Sequence, residues 1–146
     1  KVIATLSKKY SILLFGGGEK EIALLSKIEK KFPNCISVAG KLNLSEELNA
    51  IAHLDCMLAM DSGNAHFAAM LQILTITLWG ATHPFAGFAP FNQPNKNCVL
   101  PDLNKYPNIP CSIYGNKICD GYEDVMRSIL PENVIKKVET ILNSNS

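Results

Sequence analysis

Three groups of residues in this 146-residue chain have types and spacings that could do chemistry. The first is the run Asp61-Ser62-Gly63-Asn64-Ala65-His66, which follows the apolar stretch Cys56 to Met60 and opens a stretch of helical spacing. Ser62 or Asp61 can cap a helix that begins near Gly63, and the free N–H groups there form an anion site suited to phosphate. Such a helix end favours a pyrophosphate by on the order of 1 kcal/mol, more when desolvated. His66 falls in the first turn, where it serves either a ligand or the packing of its own helix. The second group is a set of glycine turns: Gly16-Gly17-Gly18, Gly40 before Lys41-Leu42-Asn43, Gly63 after Asp61-Ser62, and Gly80 before Ala81-Thr82. Glycine lets the backbone approach a ligand closely and adopt positive φ. The third group is five cysteines, Cys35, Cys56, Cys98, Cys111 and Cys119.

Several chemistries fail on spacing. A Walker loop ends in Lys-Ser or Lys-Thr, and Gly16-Gly17-Gly18-Glu19-Lys20-Glu21 has neither that spacing nor the hydroxyl. The dinucleotide fingerprint places a third glycine where Glu21 stands. A hydrolase elbow needs glycine two residues before its serine, and Met60 occupies that place before Ser62. A receiver-type role for Asp61 lacks the paired acidic residues after the first strand. Zinc chemistry is not expected, because no Cys-x-x-Cys occurs and Cys111 and Cys119 stand apart. An odd cysteine count with irregular spacing, two of them inside apolar runs, points to a reducing cytoplasm.

The elements that must position these residues follow from periodicity. Ser11–Phe15, Cys35–Ala39, Cys56–Met60 and Leu74–Trp79 are short apolar runs expected as strands. Glu19–Lys31, a helix opened by Ser45 and ending near His53, Asn64–Leu71 and a last helix from Pro131 to about Leu142 alternate with them. Strands that are continuously apolar point to a parallel sheet with helices on both faces, so the fold class is α/β. Ligands of such sheets bind beyond the carboxyl ends of the strands, where the four glycine turns stand. The segment Cys98 to Gly121 carries only loop composition, and Asn143 to Ser146 is expected as a frayed tail.

Composition bounds the rest. One domain over residues 1–146 accounts for this length, and 47% hydrophobic against 18% charged residues excludes global disorder. Fourteen Lys and Arg against thirteen Asp and Glu leave a net charge of +1, which offers no field for nucleic acid. No window reaches the length of a membrane-spanning helix. From Ser62 to Asn95 there is no Asp, Glu, Lys or Arg. A buried strand and helix explain part of that stretch, but the loop from Gly80 to Pro94, with His83, Phe85, Phe88 and Phe91, should lie on the surface and meet a domain or ligand. The start at Lys1, without Met or a signal sequence, is expected of an excerpt from a longer protein.

Taken in order, Ser11 to Glu19, Ala39 to Leu48, Asp61 to Ala69 and Trp79 to Pro84 resemble the heptosyltransferase family, glycosyltransferase family 9, with a weaker echo at Pro131 to Val134. The Asp-Ser-Gly-x-x-His-x-Ala-Ala block from Asp61 to Ala69 is the specific part. Asn64 departs from the family pattern, which has proline there. The resemblance is to the carboxyl-terminal half of a GT-B enzyme, a Rossmann-like three-layer domain that binds the nucleotide-sugar donor. It implies that Asp61 holds the sugar, that Ser62 and Gly63 offer N–H groups to the diphosphate with His66 close by, and that Leu42 contacts the base. Glu21, with Glu19 as its rival, binds the ribose; Gly17 and Thr82 belong to the same strand-end loops. It further implies no metal or other cofactor, a donor such as ADP-heptose, and a lipopolysaccharide-core glycolipid as acceptor. The acceptor and the general base belong to an amino-terminal domain, so no catalytic residue is expected in this chain. Work at the inner face of the cytoplasmic membrane is implied as well. The alternative is a non-catalytic nucleotide-binding or partner-docking module on the same fold.

Overall fold

Short apolar runs alternate with amphipathic segments along this chain, and strand and helix alternate accordingly. The computed structural model describes residues 1–144, and the chain divides into two units, 1–53 and 54–146.

The first unit runs α1 (Val2–Leu6), β1 (Ile12–Leu14), α2 (Gly18–Lys31), β2 (Cys35–Ser37) and α3 (Leu44–Ala52). Strands β1 and β2 pair in parallel, with Ile12 opposite Cys35 and Leu14 opposite Ser37. Parallel pairing requires a crossover, and α2 supplies it. Gly18 begins α2 at φ +76°, a left-handed conformation that favours glycine. Glu19 and Glu21 stand in the first turn of α2 and Lys30 and Lys31 in its last, as the helix dipole favours. The opening of α3 corrects the expectation from Ser45. Asn43 is the N-cap: its side chain accepts from the Glu46 N–H at 3.0 Å, and the Glu46 carboxylate accepts from the Asn43 N–H at 2.8 Å. That reciprocal pair outweighs a serine two residues later, because it satisfies two orphan donors at once.

The second unit contains β3 (Met57–Met60), α4 (Gly63–Met70), β4 (Thr75–Leu78), β5 (Cys98–Val99) and α5 (Pro131–Ser144). Its sheet is parallel in the order β3-β4-β5, with Met60 opposite Leu78 and Leu78 opposite Val99. The central position of β4 buries Thr75, Ile76 and Thr77 in succession, which is why that strand is continuously uncharged. Trp79, fully buried just beyond it, donates its indole N–H to the Thr77 hydroxyl at 2.8 Å. Strand β5 corrects the reading of Cys98 onward as loop alone; two residues are too few to show a period. Below β5, the Gln93 side chain continues the ladder. Its Oε1 accepts from the Thr75 N–H at 2.8 Å and its Nε2 donates to the Ile73 carbonyl at 3.2 Å. Helix α5 buries Val134, Val138 and Ile141 on one stripe and includes Asn143 and Ser144, so the tail expected from Asn143 begins inside a helix; its last two residues lie outside the described ones. Among the described residues no helix is long and apolar enough to cross a membrane.

Candidate functional site

At the carboxyl end of β3, Met60 leads through Asp61 and Ser62 into α4. Ser62 takes the N-cap position in extended backbone (φ −152°, ψ 160°), but its side chain makes no capping hydrogen bond. This corrects the expectation of a Ser62 or Asp61 side-chain cap. The N–H groups of the first turn are therefore not taken up by a capping side chain, which suits an anion. A Cβ on Gly63 would meet nothing within 4 Å, so packing does not dictate glycine there.

Asp61 shares a pocket of about 260 Å³ with Met60, Leu78, Gly80, Ala81, Thr82, Tyr114, Gly115 and Met126. The carboxyl ends of β3 and β4 thus contribute Asp61 and Thr82 to one concavity, as open parallel sheets do. Partial burial raises the Asp61 carboxyl above its ordinary value, and the nearby His66 works against that rise. His66 is half-buried on α4, close enough to act electrostatically on Asp61. A carboxylate so placed accepts hydrogen bonds from hydroxyl groups, and Thr82, lining the same pocket, carries a hydroxyl that both donates and accepts.

Two glycines let the later part of the chain close this pocket. A Cβ on buried Gly80 would overlap the Met126 Sδ and come within 2.7 Å of its Cγ. Gly115 sits at φ +66°, and a Cβ there would stand 2.9 Å from the Thr82 Cγ2. Tyr114, Gly115 and Met126 were not legible as site residues in the sequence. The available signal is the pair Cys111 and Cys119 flanking Gly115-Asn116.

Cys111 and Cys119 form a disulfide, whereas Cys35, Cys56 and Cys98 are free. That bond runs against the reducing compartment expected from the cysteine usage: an odd count with irregular spacing still leaves room for one close pair, and these two Cα atoms stand 5.2 Å apart. Cys35 is buried, whereas Cys56 is only half-buried just before β3; desolvation, aided by Asp55, pushes the Cys56 thiol up to about 11, which keeps it a neutral thiol.

In the first unit the structure brings Gly17 and Glu21 together: the Gly17 N–H donates to the Glu21 Oε2 at 2.9 Å, so Glu21 also caps its own helix. Glu19 is exposed in the same turn. Leu42 is half-buried in the turn after Gly40, whose φ of +69° and approach to Ile22 (2.7 Å from an added Cβ) require glycine. Lys41 is exposed and pairs with Glu29 at 3.4 Å. The Ser37 N–H and Lys41 together hold the Glu29 carboxyl below its ordinary value.

The charge-free loop after Gly80 is only partly a surface. Phe85 and Phe91 are 82% and 76% exposed, but His83 is buried and its Nδ1 accepts from the Phe85 N–H at 3.2 Å. Phe88 packs edge-on to Tyr114 with ring centroids 5.8 Å apart.

Comparison with known proteins adds the following. A family model described as glycosyltransferase family 9 (heptosyltransferase) matches residues 1–114. The chain is 32% identical over 149 residues to lipooligosaccharide heptosyltransferase 2 of Haemophilus influenzae, covering 94% of this chain and 39% of that protein. It is 26% identical over 150 residues to lipooligosaccharide heptosyltransferase 2 of Campylobacter jejuni serotype O:2, covering 99% of this chain and 45% of that one. Its fold is similar to the crystal structure of a family 9 glycosyl transferase from Veillonella parvula, with a TM-score of 0.72 and 21% identity over 98% of this chain and 40% of that one. The structure of E. coli ADP-heptose lps heptosyltransferase II gives a TM-score of 0.66 at 18% identity, over 99% of this chain and 40% of that one. The chain therefore spans less than half the length of each of these proteins.

Proposed function

The chain belongs to glycosyltransferase family 9, the heptosyltransferase family, and from that premise we propose that it binds the donor of a heptosyl transfer to a lipopolysaccharide core. The observation that carries this reading is the placement of Asp61 in the pocket at the start of α4, beside a first turn without a side-chain cap. Departure of a nucleoside diphosphate needs its developing negative charge stabilised, and oriented backbone N–H groups do that without a metal. Ser62 and Gly63 are the groups we assign to the diphosphate, with His66 close by on α4. Asp61 accepts hydrogen bonds from sugar hydroxyls, and Thr82 joins it.

ADP-heptose is the donor we assign, a reading supported by the name of the similar E. coli enzyme. Leu42, Gly17 and Glu21 are assigned to the nucleoside on family resemblance. Glu21 spends one oxygen on the Gly17 N–H and keeps the other for a ribose hydroxyl. The acceptor is a glycolipid of the lipopolysaccharide core, met in the cytoplasm at the inner membrane face. The general base that takes the acceptor's proton lies outside residues 1–146 in this reading, and no cofactor is required. A non-catalytic nucleotide-binding or partner-docking module is the rival reading, and Asn64 in place of the family's proline is the feature that favours it.

Calorimetric titration tests the proposal. ADP-heptose should bind, and Asp61→Ala should weaken ADP-heptose more than ADP, because a carboxylate attracts hydroxyls and repels a bare diphosphate. Equal losses for both ligands would make Asp61 a structural residue. Heptosyl turnover by the protein at its natural length, with a core-glycolipid acceptor, separates the enzyme from the non-catalytic module.

A further inference from the structure

The loop 111–119 contributes an aromatic side chain to the lining of the pocket. Tyr114 is 79% exposed, yet it lines the pocket that holds Asp61 and Thr82. Its position is set by several independent restraints. The Cys111–Cys119 disulfide closes the loop that carries it. The Cys111 N–H donates to the Ala81 carbonyl at 2.8 Å, which ties the root of the loop to the pocket floor. Gly115, next to Tyr114, is left-handed, and a Cβ there would press on the Thr82 Cγ2 at 2.9 Å. Within the loop, the Ser112 hydroxyl accepts from the Lys117 N–H at 3.2 Å and donates to the Lys117 carbonyl at 3.4 Å. The ring itself rests edge-on against Phe88.

An exposed aromatic ring gains nothing from the core and leaves apolar surface in water. The loop that carries it is closed by a disulfide and hydrogen bonds, so that backbone has already lost freedom that binding would otherwise cost. The same pocket is lined by a carboxylate residue, Asp61, and a hydroxyl residue, Thr82. That combination matches a polyhydroxylated ring: its hydroxyls reach Asp61 and Thr82, while its C–H face packs on the aromatic ring and on Met126.

We propose that Tyr114, presented by the disulfide-closed loop 111–119, is a specificity-determining residue that packs on the sugar of the donor rather than on its nucleotide. The inference rests on the donor-binding reading above and deepens it. A base-stacking Tyr114 would serve ADP and ADP-heptose alike. A sugar-packing Tyr114 serves ADP-heptose alone.

The test is calorimetric titration of the protein at its natural length with ADP and with ADP-heptose, for wild type, Tyr114→Ala, Tyr114→Phe and the double variant Cys111→Ser/Cys119→Ser. The expected result is a Kd for ADP-heptose raised about tenfold by Tyr114→Ala, the size of one well-placed aromatic contact, with ADP changed less than about twofold. Tyr114→Phe should stay near wild type, because the ring face is what packs. The double serine variant should weaken ADP-heptose in the same selective way, through loss of loop order. Because Tyr114 is exposed, its variants should keep the wild-type Tm, and the serine pair is to be read at matched circular dichroism. Equal loss of ADP and ADP-heptose would assign Tyr114 to the base and overturn the proposal. Unchanged affinity for both would also overturn it while the donor reading stands. Failure of wild type to bind ADP-heptose would overturn the donor reading and this inference with it.

Discussion

Gly80→Ala isolates how the later part of the chain builds the pocket. Gly80 does not occupy the left-handed region, so an alanine there brings no backbone strain, and its only consequence is steric. The new methyl group would overlap the Met126 Sδ and stand 2.7 Å from Met126 Cγ and 4.0 Å from Val125 Cγ1. Ordinary carbon contacts begin near 3.5 Å, so the segment Val125–Ser128 must move by about an ångström or Met126 must adopt another rotamer. Overpacking of this kind costs about 1–3 kcal/mol. For a chain of this length that corresponds to a fall in Tm of about 3–10 °C. Met126 lines the pocket with Asp61, so its displacement should also weaken ADP-heptose. Thermal unfolding followed by circular dichroism, together with the donor titration, measures both effects. A Tm within about 1 °C of wild type and an unaltered Kd would refute the reasoning, since Met126 would then yield at no cost. Truncating the obstacle supplies the confirming arm: Gly80→Ala in a Met126→Ala background should lose less stability than the two single changes added together.

Other outcomes follow from the same geometry. Gly63→Ala meets open space at the first position of α4, so stability should hold or rise by up to about 1 kcal/mol while ADP-heptose affinity falls, because the methyl group crowds the N–H groups assigned to the diphosphate. Partial burial raises the Asp61 carboxyl above its ordinary value, so donor affinity should decline as pH falls, beginning at a higher pH than for an exposed aspartate, and Asp61→Asn should flatten that profile. Stability runs the other way. A carboxyl whose folded pKa is raised loses stability as pH rises through it, so Asp61→Asn should raise the Tm at neutral pH, and a lowered Tm would contradict the assignment. Asn43→Ala removes the side-chain acceptor of the α3 capping box while keeping the backbone N–H that donates to Glu46, and should cost about 1 kcal/mol in urea unfolding, with no effect on donor affinity.

Local signals decided much of this protein without any coordinates. The apolar runs Ser11–Phe15, Cys56–Met60 and Leu74–Trp79 contain the parallel strands β1, β3 and β4, and the central strand β4 is the one buried almost throughout. Asp61-Ser62-Gly63 followed by His66 marked the start of α4, since strand, turn and helix are each written in contiguous residues. Capping was harder to read: Asn43 and Ser45 are both good cap residues, and only the reach of Glu46 back to the Asn43 N–H selects between them. What tertiary structure alone decided is the far wall of the pocket. Tyr114, Gly115 and Met126 lie more than thirty residues beyond Thr82 in a stretch without periodicity, and no local pattern ties them to Asp61. Their approach depends on Gly80 and Gly115 lacking side chains, on the Cys111 hydrogen bond to Ala81 and on the Cys111–Cys119 disulfide. Each of these contacts is set by distance in space rather than along the chain, because close packing is a property of which surfaces meet and a one-dimensional pattern records only which residues are apolar.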